Sequence, residues 1–279
     1  MLNLIGIELY KILKKPRTYI GFAAIAIIVL VVELSFYADG KQYLDFVLQS
    51  LRQHFVIQGE ILNGSLMCFV ILQMLIVQMP LLVALVAGDL ISGEASTGTV
   101  RMLLSKPYTR SQIFFAKYVA GSVYTFALIL WLGALALGIG IALFGTGDLL
   151  VLKSDELVVI KAEDVWWRFS AALLMAFVSL SVVTSFSLML SCFSDNSITP
   201  IVATMSVIII FTIIGALEIP MLEKFKSLLF TTHMVIWRNF FDNPLPMRQI
   251  VSSVVILLGH IVLFLIIAHR HFVRKDILN

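Results

Sequence analysis

Charge is scarce in this chain of 279 residues, and cysteine scarcer still: 13% of the residues are Asp, Glu, Lys or Arg, and two are Cys. A soluble domain carries about 25% charged residues, so the shortage argues against a water-facing surface over most of the molecule. Cys68 lies inside one apolar run and Cys192 at the end of another. They offer neither a disulfide framework nor a zinc site, and no metal is expected. Catalytic patterns are missing as well. No G-x-x-x-x-G-K-[ST] occurs, since the Gly40-Lys41 pair lacks the earlier glycine, so ATP hydrolysis through a phosphate loop is not expected. The absence of H-E-x-x-H and G-x-S-x-G weighs against an intramembrane protease or lipase. The net charge of +3, with basic residues at the ends of apolar runs, points to lipid headgroups rather than nucleic acid. The first run ends without an A-x-A-like cleavage site, so no cleavable signal peptide is expected.

Hydrophobic side chains make up 60% of the chain, its mean hydropathy is +1.00, and they gather in uninterrupted runs. A bilayer offers backbone polar groups no partner, so each crossing takes roughly 20 apolar residues in a helix. Six spans are read: Tyr19–Phe36, Ser65–Gly88, Val119–Phe144, Phe169–Leu190, Ile198–Leu217 and Ile250–Ala268. The expectation is one all-α polytopic membrane domain over residues 1–279. Lys11, Lys14, Lys15 and Arg17 precede the first span, and Arg270, Arg274 and Lys275 follow the last. Both termini are therefore assigned to the cytoplasm, with the dense N-terminal group weighted most. Trp166 and Trp167 read as interfacial anchors of the fourth span.

Residues 1–15 form a separate element. Leu2, Ile5, Leu9, Ile12 and Leu13 share one helical face, with Glu8, Lys11 and Lys15 opposite. Such a helix is expected to lie in the headgroup layer and end at Pro16, as an orientation signal or as a partner contact. Of the outer loops, 37–64 is expected to be helical in part, and 146–165 to pair Leu149–Lys153 with Glu156–Lys161 as a hairpin. In 218–248, Met221, Leu222, Phe225, Leu228 and Leu229 make an apolar stripe on a charged helix, expected to dip into the outer leaflet. Glu33, near the outer end of the first span, is expected to snorkel.

Inside the spans, Gln73 and Gln78 precede Pro80, whose missing N–H should kink the second helix. Ser181, Thr184 and Ser185 share one face of the fourth, and His260 lies mid-span in the sixth. These residues serve either helix packing or a pathway. Ala134, Gly138 and Ala142 suit a close helix contact on the third span.

Residues 89–112 form a polar, turn-rich segment wedged between two spans. Thr99 is placed to cap a short helix carrying Met102, Leu103 and Leu104, which Pro107 stops. Thr109 to Gln112 fits a capping box that opens the next helix. Two helices joined by a stiff corner transmit a push that a floppy loop would absorb.

The pattern Glu94-x-x-x-Gly98-Thr99-Val100-Arg101-x-Leu103-Leu104-x-x-Pro107-x-x-Arg110, followed by Lys117, resembles the signature between the second and third spans of ABC-2 type transporter permeases. The six-span layout, Glu8 and Lys11 in the N-terminal helix, and the short Ser191–Asn196 turn are similar too. Val100 departs from the more usual leucine or isoleucine. The resemblance implies that 89–112 is a coupling helix seated in a groove of a nucleotide-binding subunit, with Glu94 contacting that subunit or holding its own loop. It also implies short re-entrant or interfacial helices before the sixth span. This chain would then be no enzyme by itself: ATP and Mg would bind a partner ABC ATPase, and a second permease copy or a related permease would complete an exporter in the cell membrane. A non-transporting scaffold or mechanotransmitter driven by the same ATPase is the alternative.

Overall fold

The computed structural model describes residues 1–47, 61–98, 107–152, 157–217 and 219–275. It is that of an all-α polytopic membrane protein. Among the described residues, five helices are long and apolar enough to cross a bilayer: Pro16–Gly40, Arg110–Phe144, Ala162–Phe193, Ile198–Ala216 and Met247–Arg274. A further pair, Gly64–Leu75 and Met79–Ala87, passes only as a unit bent by 54°. In chain order the helices are α1 (Leu2–Lys14), α2 (Pro16–Val47), α3 (Gly64–Leu75), α4 (Met79–Ala87), α5 (Ser92–Ser96), α6 (Arg110–Phe144), α7 (Ala162–Phe193), α8 (Ile198–Ala216), α9 (Glu223–Lys226), α10 (Phe230–Met234) and α11 (Met247–Arg274).

The kink expected at Pro80 is a full break. Pro80 sits in the first turn of α4, where its missing N–H costs nothing, and Ile76–Gln78 separates the two rods. Asn63 caps α3 by accepting from Leu66 N at 3.0 Å, and its amide nitrogen donates to Asp148 O at 2.7 Å. Thr109 and Gln112 form both bonds of the expected capping box, which starts α6 well before the apolar run.

α7 is the central helix, packed against α4, α6, α8 and α11. The three hydroxyls singled out by sequence are spent inside the bundle, whereas Ser179 and Ser187 of the same helix are buried without a partner among the described residues. Ser181 donates to Phe177 O and Ser185 to Val182 O, while Thr184 pairs with Thr125 of α6 at 2.8 Å. The small stripe Ala134, Gly138 and Ala142 faces outward instead of packing. The close approach lies on the neighbouring face of α6, where a Cβ on Gly64 would meet the Gly140 backbone at 2.7 Å.

The hairpin forms as expected, β1 (Leu149–Leu152) pairing antiparallel with β2 (Leu157–Ile160), and Leu149, Val151, Val158 and Ile160 point inward. The loop before α11 is built of short helices, as the resemblance implies, and not of the one striped helix read from residues 218–248. It breaks into a 3-10 turn at Pro220–Leu222, α9, α10 and a second 3-10 turn at Ile236–Phe241. Met221, Phe225 and Leu228 are exposed. Phe230, Trp237 and Phe241 are buried, and Phe241 meets Phe69 and Phe169 edge-on, each at 4.9 Å. Arg168 of α7 clamps this turn by donating to Phe240 O and Asp242 O, each at 2.9 Å. Aromatic burial and a charge-assisted clamp outweigh the amphipathic pattern.

Candidate functional site

α1, α5, the start of α6 and the end of α11 meet at one end of the bundle, here the terminal end. α1 packs there with Leu4, Glu8 and Ile12 turned inward, steps of four that define one helical face. The face expected from the sequence is thus corrected. Leu2 and Leu13 are exposed, and Glu8, assigned to the polar side, is 2% exposed. What overrides the apolar pattern is an ion cluster.

Lys117, one turn into the buried part of α6, is 1% exposed. Its ammonium group lies 2.8 Å from Glu8 Oε2 and 2.8 Å from Glu94 Oε2, and donates to Leu90 O at 2.9 Å. Lys11 completes the ring, 2.7 Å from Glu8 Oε1 and 2.8 Å from Glu94 Oε1. Two carboxylates and two ammonium groups from three elements therefore satisfy one another. Burial alone would raise the Glu94 carboxyl, but the charges and hydrogen bonds of Lys117 and Lys11 outweigh it and hold the group below its ordinary value. Burial likewise pushes Lys11 down, and Glu8 and Glu94 more than reverse that, holding it above its ordinary value.

A second group lies beside the first. Asp89, 3% exposed, takes Lys15 at 2.5 Å and Arg17 at 2.8 Å and accepts from Ser197 Oγ at 2.6 Å. Ser191 of α7 accepts from Ile91 N and Ser92 N at the start of α5, which has no side-chain cap of its own. An open groove of about 710 Å³ runs past both groups, lined by Lys14, Lys15, Arg17, Glu94, Thr97 and Ser197 among others. Glu8, Glu94 and Asp89 each meet two cations, while Lys14 lies over the Tyr10 ring. Among the described residues, no three His, Cys, Asp or Glu side chains form a group able to hold a metal.

Residues 23–278 match the family described as Protein of unknown function (DUF2705). The chain belongs to that family. It is also similar to the uncharacterized protein YhcI of Bacillus subtilis (strain 168), at 24% identity over 202 residues, 70% of this chain. The match spans 63% of that relative's length.

In this DUF2705 chain the other residues singled out by sequence have varied placements. Gly98 has φ +69°, a left-handed turn that glycine suits, and Pro107 is exposed. Arg110 points away from the segment and caps the end of α11, donating to Val273 O at 3.0 Å and Lys275 O at 2.6 Å. Thr99, Arg101, Leu103 and Leu104 lie outside the described residues. Gln73, Gln78, Ser181, Ser185 and His260 do not line the groove. His260 bonds Ile256 O of its own helix. Sequence marks Arg17 only as an orientation charge and Ser191 only as the edge of a turn, and does not mark Ser197 at all, because nothing local points to a partner more than 70 residues away.

Proposed function

We propose that this protein is the membrane-spanning subunit of an ATP-binding cassette exporter, with both termini cytoplasmic in the cell membrane. Residues 89–112 are its contact with a separate ATPase, on which ATP and Mg bind. A second copy or a related permease completes the assembly. One observation carries this reading: Lys117 of the third span is bound at once to Glu94 of the contact segment and Glu8 of the N-terminal helix. Ion pairs shielded from water are stiff, because displacing either partner leaves a buried charge alone. A push on α5 is therefore passed to α6 and α1 together, and ATP-driven closure of the partner would tilt the third span. The signature around Glu94 and Gly98, described above, supports the same assignment.

Affinity purification of the full chain from its host membranes tests this. An ATPase subunit bearing a phosphate-loop motif is expected to accompany it, and Arg101→Glu or Leu103→Asp should release that subunit while leaving insertion intact. Recovery without any ATPase, or ATP turnover by the isolated chain, would overturn the proposal. For orientation, a cysteine at Lys161 should react from outside intact cells and one at Ser96 should not.

A further inference from the structure

Gly21, Ile25, Val29 and Glu33 follow one another at steps of four along α2, and all are buried. Glu33 thus stands on the packed stripe of the first span rather than at its lipid edge, and the snorkelling expected from sequence does not occur. It is 0% exposed, and neither carboxyl oxygen has a hydrogen-bond partner. The carboxyl ends where α3 and α6 touch backbone to backbone, for a Cβ on Gly140 would lie 3.4 Å from Glu33 Oε1 and 3.2 Å from Gly64 O.

We propose that Glu33 is a proton-binding site: its carboxyl is held neutral in the seam between the first, second and third spans, and loss of that proton opens the seam. An isolated carboxylate is among the costliest groups to bury, and it takes a proton instead when no cation is at hand. None is at hand among the described residues. Of the helices packed against α2, α4 carries no titratable group, and α3 carries Cys68, whose neutral or anionic thiol gives no positive charge. The cations of α1 and α6, Lys11, Lys14, Lys117 and Arg110, belong to the terminal end, as do Glu8 and Tyr10. Tyr118 lies beside Lys117 in sequence, and Tyr124 bonds Thr18 O, four turns from Glu33. Tyr37 and Asp39, further along α2, are exposed. The amino end of α3 lies alongside, and its dipole would favour a charge. Yet Gly64 N is spent on Gly145 O and Leu66 N on Asn63, so neither reaches Glu33. A bound cation would need roughly six oxygen ligands, which a carboxyl and the Gly64 carbonyl do not supply. Once ionised, Glu33 must find water, and the Gly64–Gly140 contact has to part to admit it.

The full chain in lipid nanodiscs provides the test, through infrared titration and maleimide labelling of Cys68. A protonated-carboxyl stretch is expected at neutral pH, where an ordinary glutamate is ionised, and it should vanish in Glu33→Gln. Wild-type protein with carbon-13-labelled glutamate gives that band without any substitution, should the variant not insert. Absence of the band overturns the proposal. Labelling of Cys68 in the wild type, divided by that in Glu33→Gln at the same pH, cancels the thiol's own titration. The quotient should rise about tenfold as pH is raised, Glu33 ionises and solvent is let in. A charge that left the seam shut would only repel the thiolate, so a flat or falling quotient also overturns it.

Discussion

At the terminal end of the bundle Glu8 is buried against two ammonium groups; towards the other end, on a helix packed beside it, Glu33 is buried against none among the described residues. Both carboxyls pay the same kind of desolvation, and their surroundings resolve it in opposite ways. Lys11 and Lys117 keep Glu8 and Glu94 in a fixed geometry, which makes that end rigid. Glu33 has only a proton to resolve its charge, and a proton comes and goes. The lesson is that burial of an acid says little until its partners are named.

The sharpest way to break this comparison is to remove one partner. Lys117→Met leaves two buried carboxylates sharing Lys11 and should cost about 3–5 kcal/mol, read as a large drop in melting temperature in lipid nanodiscs. Glu33→Gln should change stability by less than about 1 kcal/mol at neutral pH, since it swaps one neutral polar group for another. Equal losses in the two variants would erase the contrast. Next in size is Arg168→Met, which strands the Phe240 and Asp242 carbonyls and should cost about 2–3 kcal/mol and loosen the turn before α11 in hydrogen exchange.

The pH dependence sharpens the paired side. Glu94 is held below 4.5, so its contribution is complete above that value and is lost as pH falls through the lowered one. Lys11 is held above 10.5, so its contribution is complete below that value and is lost as pH rises through the raised one. The melting-temperature gap between wild type and Glu94→Gln should therefore be flat between these limits and narrow in acid. Thr109→Ala should cost about 1 kcal/mol for a lost helix cap, measured by the same melting assay.

Much of the framework was legible because apolar runs and caps are local signals. The hairpin at 149–160, the capping box at Thr109 and the break near Pro80 each depend on residues within a few positions. The ion cluster was half legible: Glu8, Lys11, Glu94 and Lys117 were each marked, but their meeting depends on how α1 docks, and the apolar face of α1 pointed the wrong way round. Glu8 is drawn inward by two distant lysines, a pull that no helical-wheel pattern contains. Glu33 was misplaced for a related reason. Its position near a span's end suggested an escape to the surface, whereas the stripe through Ile25 and Val29 decides which way it faces. The aromatic turn at 236–241 was missed because Phe69 and Phe169, which it packs on, lie far away in sequence.

The break at Ile76–Gln78 gives the second span two allegiances. α3 is fastened to α6 and its trailing loop, through Gly64, Asn63 and Ser65. α4 packs mainly on α7 and α8 instead. The two rods are thus halves of a knuckle, each half set in a different block of helices. Should those blocks ever turn relative to one another, the bilayer would register it first as a change in the angle of this one crossing.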